Sequence, residues 1–142
     1  MSAVLLDTGP VVASLDRRDP QHQWVMQRFA SVTGRVLTTG AVITEATFFL
    51  QDIRGGIRHL TGLIEALQIE IWDCFRLDRL HAAEKLMSNY ADTPMDFADA
   101  TLVLAAENFG FARIATLDER GFRVFRYNRN KRFQLVMQDV QV

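Results

Sequence analysis

Short apolar runs alternate along this chain with longer segments in which apolar residues recur every three or four positions. The short runs are typical of buried parallel strands, and the longer spacing is typical of helices that bury one face. Strands are predicted at residues 4–6, 35–39, 69–72 and 114–117. Helices are predicted from Thr8, from Asp19, and over residues 40–54, 57–67, 77–90 and 94–109. This alternation predicts an α/β fold whose mainly parallel central sheet is covered on both faces.

Local signals refine the ends of several elements. Asp19 precedes a proline and has the form of a helix N-cap. Thr93 and Asp96 are spaced as a capping box, with Thr93 as the N-cap and Asp96 at the third helical position. Residues 122–136 predict two short strands around a turn at 128–131, so a hairpin is expected after the last buried strand.

Length and composition limit the class of protein. The chain has 142 residues, of which 49% are hydrophobic, and 16 Lys and Arg stand against 17 Asp and Glu. We expect a single domain over residues 1–142, without a membrane span or a signal peptide. The lone cysteine, Cys74, favours a reducing, cytoplasmic setting. The balanced charge excludes a polycation that holds nucleic acid by bulk attraction alone.

Two acids fall where parallel strands end. Asp7 follows the first predicted strand and Asp118 follows the last. In open α/β sheets the reactive site lies beyond the carboxyl ends of the strands, so these two side chains are candidates for one site. The alternative is that each caps a helix or closes a turn, as aspartates after strands often do.

Two further acids are isolated in apolar helical segments. Asp99 lies in a segment that is apolar around nearly its whole circumference, and a buried carboxylate without a partner is costly. Glu45 repeats the pattern, although it also fits a polar stripe with Thr44 and Gln51. Asp99 could instead pair with a distant group or lie at an exposed helix end. Asp96 is three positions from Asp99 and is compatible with both capping and the same site.

Carboxylates gathered at one sheet edge repel one another, so a cation must neutralise them. No Lys or Arg adjoins Asp7, Glu45 or Asp99 in the sequence. All-oxygen ligands select hard divalent cations, and the absence of His or Cys at ligand spacing disfavours zinc. The acids therefore predict a site for Mg²⁺ or Mn²⁺, which could activate water and stabilise charge on a phosphoryl group.

A basic strip follows Asp118 directly. Residues 120–132 contain no Asp or Glu, and aromatic residues alternate with the basic ones. The basic residues are Arg120, Arg123, Arg126, Arg129, Lys131 and Arg132. Cations beside an acidic metal site would hold the backbone of a phosphodiester substrate, so Arg120, Arg123, Arg126 and Arg129 are candidates for RNA binding. The alternative is a solvated edge hairpin whose charges deter strand pairing.

Four segments, in order, resemble the motifs of the PIN-domain family, and more narrowly those of the VapC-like ribonuclease toxins of bacterial toxin–antitoxin pairs. They are residues 4–10, 43–46 and 95–100, and residues 115–118 followed by Phe122. The resemblance covers nearly the whole chain. One departure is Gly121, because many relatives carry a further aspartate after the last motif. This weakens any proposal of an additional ligand there, although Glu119 could partly substitute.

The resemblance implies a three-layer α/β/α sandwich and a Mg²⁺- or Mn²⁺-dependent endoribonuclease that cuts RNA with metal-activated water. The family's acidic site residues map onto Asp7, Glu45, Asp99 and Asp118. Asp96 resembles an additional acid, and Thr8 and Thr116 match positions whose hydroxyl groups hold acids or water near the site. The family also implies a small antitoxin partner, and apolar stretches of the chain could supply its groove or the face of a homodimer.

Other functions fit the same sequence less well. A nuclease of RNA processing outside a toxin–antitoxin system would carry the same acids. A non-catalytic PIN-like binding module usually lacks some of them, whereas all four are present here. A phosphatase with an aspartyl nucleophile would need a second aspartate two positions after Asp7, where this chain has Gly9.

Overall fold

Strands and helices alternate in the computed structural model, which describes residues 2–138. Met1 and residues 139–142, which the predicted domain includes, lie outside the described part. The helices are α1 (Thr8–Leu15), α2 (His22–Arg28), α3 (Gly40–Leu50), α4 (Gly56–Leu67), α5 (Leu77–Ser88), α6 (Phe97–Phe109) and α7 (Glu119–Val124). The strands are β1 (Ala3–Leu6), β2 (Arg35–Thr39), β3 (Glu70–Trp72), β4 (Arg113–Ala115), β5 (Arg126–Tyr127), β6 (Lys131–Arg132) and β7 (Gln134–Leu135). Among the described residues, no helix is both long and apolar enough to cross a bilayer.

Five strands form one parallel sheet in the order β3-β2-β1-β4-β7. The central strand β1 pairs on one side with β2, where Val4 lies beside Val36, and on the other with β4, where Leu5 lies beside Ile114. All four of these side chains are buried, as expected of a strand covered on both faces. The predicted α/β fold with a central parallel sheet is confirmed.

The sheet separates two layers of apolar side chains. Successive residues of a strand point to opposite faces, so Leu5 packs with α6 in one cluster while Val4 and Leu6 pack with α1 and α4 in the other. Helix α6 is buried around most of its circumference. This arrangement holds the carboxyl ends of β1 and β4 in a rigid edge.

Two predicted helix boundaries are wrong. Helix α2 begins at His22, because the Asp19 carboxylate accepts a hydrogen bond from the Gln21 N–H at 2.8 Å and closes a turn before the helix. The helix predicted over residues 40–54 ends at Leu50, and a series of turns leads to Gly55, whose φ of 69° lies in the left-handed region.

The start of α6 also differs from its prediction. The helix begins at Phe97, and the capping box is formed by Asp96 as N-cap and Asp99 at the third helical position. The Asp99 N–H donates to Asp96 Oδ1 at 2.8 Å, and the Asp96 N–H donates to Asp99 Oδ2 at 3.1 Å. The predicted N-cap, Thr93, lies three positions too early, because the two aspartates satisfy the free backbone donors better.

The hairpin predicted around residues 128–131 is present as the antiparallel pair β5 and β6. The strand predicted to start at Phe122 is wrong, because Asp118 caps a short helix there, α7. Strand β7 adds a fifth strand beside β4, which the sequence pattern did not predict. The other main-sheet strands and helices α4 and α5 agree with their predictions within two residues.

Candidate functional site

A cavity of about 490 Å³ lies at the carboxyl ends of β1 and β4, against α1, α3 and the N-terminal end of α6. Its lining consists of Asp7, Thr8, Gly9, Val12, Asp19, Glu45, Phe49, Asp96, Asp99, Leu117 and Asp118. Six of the lining residues are acids, and among the described residues no Lys, Arg or His side chain lines the cavity. The structure therefore brings all five acids singled out in the sequence to one cavity.

Asp7 connects β1 to α1 and is buried, with 7% of its surface exposed. Its Oδ1 accepts a hydrogen bond from the Thr8 N–H at 2.8 Å, and its Oδ2 accepts one from the Thr116 hydroxyl at 2.7 Å. Burial raises the pKa of Asp7 to about 6, although these two hydrogen bonds act in the opposite direction. The negative charges of Asp96 and Glu45 raise the pKa further. Charging Asp7 in this cavity is therefore unfavourable without a cation.

The pKa of Asp99 is raised more than that of Asp7. Burial raises its pKa to about 8, and the negative charges of Asp7, Asp96 and Asp118 add to the effect, while the hydrogen bond from the Asp96 backbone opposes it. Within residues 2–138, Asp99 forms no ion pair. Its capping role satisfies one carboxylate oxygen but supplies no positive charge.

Glu45 reaches the cavity from α3. Its Oε1 accepts a hydrogen bond from the Thr8 hydroxyl at 2.6 Å, and this bond connects Glu45 to the first residue of α1. The other members of the predicted polar stripe, Thr44 and Gln51, are exposed, and the Thr44 hydroxyl donates to the Gly40 carbonyl. The neighbouring polar residues thus face different surroundings, and Glu45 is the one that lines the cavity.

Thr116 links the acids that follow β1 and β4. Its hydroxyl donates to Asp7 Oδ2 and accepts a hydrogen bond from the Asp118 N–H at 2.9 Å. The Asp118 carboxylate in turn accepts from the Gly121 N–H at 2.9 Å, which makes Asp118 the N-cap of α7. Asp118 thus caps a helix and lines the cavity as well.

The structure does not bring the basic strip into this cavity. Arg123 pairs with Glu119 at 2.8 Å, and Arg126 donates to the Arg123 and Val124 carbonyl oxygens at the end of α7. Arg126 and Arg129 line a separate cavity with Lys85 from α5. Arg120 is exposed on α7. RNA binding by Arg120, Arg123, Arg126 and Arg129 stays a prediction.

One acid of the cavity was not predicted from the sequence. Asp19 lies in the turn between α1 and α2, where only helix capping was expected of it, and it lines the cavity with the others. It follows no strand and lies in no apolar helix, so neither criterion that identified the other acids could find it. Phe49 and Leu117 form apolar parts of the wall, which pattern alone does not distinguish from core.

The chemistry of the cavity fits a hard divalent cation. Its donors are carboxylate and hydroxyl oxygens, which Mg²⁺ and Mn²⁺ prefer. Burial, followed by the negative charge of the neighbouring acids, raises the pKa values of Asp7 and Asp99, and a bound cation would offset both effects. Among the described residues, no three His, Cys, Asp or Glu side chains are already gathered into a metal-binding group. Cation binding would therefore draw the cavity acids closer together than they lie in this structure.

Comparison with known proteins supports the resemblance inferred from the motifs. No family model matches the chain. The ribonuclease VapC26 of Mycobacterium tuberculosis (strain ATCC 25618 / H37Rv) is 23% identical over 135 residues, which are 94% of this chain and 99% of that protein. The crystal structure of Mycobacterium tuberculosis VapC20, described as a sarcin-ricin loop cleaving toxin, superimposes with a TM-score of 0.71 at 17% identity. The match covers 81% of this chain and 89% of that chain.

This chain has the VapC-like PIN-domain fold. The predicted resemblance to that family is therefore confirmed, together with the predicted central parallel sheet. In this VapC-like fold the carboxylate cavity occupies the carboxyl edge of the sheet, where parallel α/β folds place their ligand sites.

Proposed function

We propose that this chain is an endoribonuclease that depends on Mg²⁺ or Mn²⁺, and that it is the toxin of a toxin–antitoxin pair. The observation that carries the proposal is the meeting of six carboxylates in one cavity at the sheet edge. Within residues 2–138, no Lys, Arg or His side chain lines that cavity. The similarity to VapC26, which is named a ribonuclease, and to VapC20, which is described as a toxin, supports RNA as the substrate.

Asp7, Asp99, Asp118 and Glu45 would hold the cation, and Asp96 would add negative charge at the rim. When bound, a divalent cation supplies activation of water and stabilisation of the charge that develops on a phosphoryl group. Each carboxylate oxygen keeps a free lone pair beyond its present hydrogen bond, so Asp7 and Asp118 can accept further bonds.

The chain's own hydroxyl groups orient these acids. Thr116 fixes one oxygen of Asp7, and Thr8 fixes one oxygen of Glu45, which limits the rotation of both carboxylates. Within residues 2–138, no Ser, Cys or His side chain lines the cavity, so a nucleophile of the Ser–His or Cys–His kind is not available there. We therefore propose direct hydrolysis by water, which leaves a 5′-phosphate and a 3′-hydroxyl.

A second, apolar groove supports a protein partner. Exposed Phe48, Phe49 and Phe75 line it, and it adjoins the carboxylate cavity through Glu45 and Asp96. Apolar side chains of this size on an open surface are typical of an interface. We propose that a small antitoxin covers this groove, and that other apolar side chains on the surface, among them Ile71 and Leu77, contribute to a homodimer.

The test is cleavage of defined RNAs by the purified protein with Mg²⁺, with Mn²⁺ and with a chelator. We expect internal cuts that need the metal, carry 5′-phosphates and disappear in Asp99→Asn. That variant keeps the side-chain volume and removes only the charge. Asp52→Asn, at an exposed position outside the cavity, is the matched control and should cut like the parent. Equal cleavage by Asp99→Asn and the parent, or cleavage that persists in chelator, would contradict the proposal.

A further inference from the structure

The Asp118 carboxylate owes its position to the first turn of α7. Its Oδ1 accepts the hydrogen bond from the Gly121 N–H at 2.9 Å, three residues along the chain. The same side chain lines the cavity with Asp7 and Asp99. The conformation of this helical turn therefore determines where one of the cavity acids lies.

Gly121 makes room for that carboxylate. A Cβ atom at this position would overlap with Asp118 Oδ2, and would lie 2.9 Å from its Cγ and 3.0 Å from its Oδ1. These are the three nearest atoms, so the carboxylate is the group that a side chain would meet first. Gly121 is not among the glycines with positive φ, so its backbone conformation is open to any residue. The space for Asp118 is thus the structural reason for glycine here.

We propose that Gly121 is a positioning residue, which sets the orientation of the Asp118 carboxylate in the cavity. The inference rests on the proposed function, because it assigns Asp118 a part in binding the cation. A methyl group at position 121 would push the carboxylate aside by about an ångström, the shift that restores van der Waals contact. A displacement of that size in a catalytic constellation can cost roughly a hundredfold in rate.

The same geometry explains the departure from the family pattern at this position. An aspartate at 121 would begin with the same Cβ overlap, so it could not add a ligand without displacing Asp118. We expect Gly121→Asp to weaken the site, although it adds a carboxylate. Glycine at position 121 thus keeps Asp118 in its place, whereas an aspartate there would add an acid and displace Asp118.

The experiment compares Gly121→Ala with Gly62→Ala in α4, where an added Cβ meets nothing within 4 Å. Both changes favour helix, so neither should unfold the protein. We expect Gly121→Ala to lower the affinity for Mn²⁺, measured by titration calorimetry, by about 10- to 100-fold. Gly62→Ala should leave it unchanged. In an Asp118→Ala background, Gly121→Ala should change the affinity by less than about twofold, because the group it displaces is gone.

Three results would overturn the inference: unchanged Mn²⁺ affinity in Gly121→Ala, unchanged affinity in Asp118→Ala, or an equal loss from Gly121→Ala in both backgrounds. A parent protein that binds no Mn²⁺ would instead refute the proposed function. In that case a crystal structure of Gly121→Ala decides the positioning role. A carboxylate of Asp118 displaced from its place in the parent would support the role, and an unmoved one would contradict it.

Discussion

At the scale of single residues, the cavity depends on hydroxyl groups as much as on acids. Thr116 is fully buried and bonds to groups on both sides, Asp7 Oδ2 and the Asp118 N–H. Removing the Thr116 hydroxyl would leave Asp7 Oδ2 and the Asp118 N–H without a hydrogen-bond partner. Both acids would then be held less firmly in the cavity. Thr8 serves Glu45 in the same way, from the start of α1.

Thr116→Val should reduce RNA cleavage by roughly 10- to 100-fold, the range found when a group that orients metal ligands is lost. The change keeps the shape and removes the hydroxyl, so the hydrogen bond that lowers the pKa of Asp7 disappears and that pKa rises further. Cleavage rates over a range of pH would show the effect, with the rate of the variant rising at higher pH than that of the parent. Thr116→Ser keeps the hydroxyl and should retain most of the activity. A variant with valine that cuts RNA at the parental rate would contradict the role of Thr116.

At the scale of elements, helix ends determine where three of the acids lie. Asp7 caps α1, Asp96 caps α6 and Asp118 caps α7. From the sequence, capping and site membership were alternatives for Asp7 and Asp118 and compatible roles for Asp96. In the structure each of the three caps a helix and also lines the cavity. A carboxylate at the N-terminus of a helix is favoured by the helix dipole, so capping also offsets part of the repulsion between the acids.

Asp96→Ala should destabilise the protein by about 0.5–2 kcal/mol, the usual cost of losing an N-cap side chain. It also removes a negative charge that raises the pKa of both Asp7 and Asp99. Urea unfolding of Asp96→Ala, Asp96→Ser and the parent separates the two effects. The serine variant keeps a capping oxygen without the charge, so it should be close to the parent in stability. If the alanine and serine variants were equally unstable, the cap would not be the cause.

Prediction from the sequence succeeded for those helices and strands whose structure is determined by a short local segment. The buried run at 4–6 and the helix over 57–67 need only local pattern and glycine signals, and both were predicted correctly. The capping box of α6 was placed three residues too early because Thr93 and Asp96 fit the same motif as Asp96 and Asp99. Strand β7 has only two residues and depends on its pairing with β4, so no local pattern could indicate it.

At the scale of the whole molecule, the parallel sheet gathers like charges that are far apart in the sequence. Residues 7, 45, 99 and 118 meet because strands β1 and β4 are neighbours and three helices begin at the same edge. The strand ends predicted that Asp7 and Asp118 would lie close together, and the isolation of Glu45 and Asp99 in apolar helices made them candidates for the same site. Asp19 was missed, since its approach depends on how the turn after α1 folds back.

The metal-free protein should lose stability as the pH rises from about 4 to about 8. The folded-state pKa values of Asp7 and Asp99 lie above the ordinary value of 3.8. In that window the folded state binds more protons than the unfolded state, so deprotonation favours unfolding. Thermal unfolding in chelator at a series of pH values, for the parent and for Asp99→Asn, measures the difference. We expect the variant to gain stability relative to the parent as the pH rises. A difference that does not change with pH would contradict the raised pKa of Asp99.

Mg²⁺ or Mn²⁺ should reverse this loss of stability, and more at pH 8 than at pH 5. A ligand that binds only the folded state raises the free energy of unfolding, and carboxylates must be deprotonated to bind it. Unfolding temperatures with metal and with chelator test the expectation, and Asp99→Asn should show a smaller rise. An equal rise at both pH values would indicate binding elsewhere on the protein.

In the proposed function, a divalent cation relieves the repulsion among acids that share the cavity. The most direct measurement is the number of protons released when Mn²⁺ binds at pH 7, obtained by calorimetry in buffers of different ionisation enthalpy. With a pKa of about 8, Asp99 is largely protonated at pH 7, so about one proton should leave for each ion bound. The release should fall towards zero above pH 9 and in Asp99→Asn. Binding without proton release at pH 7, or no binding at all, would contradict the account.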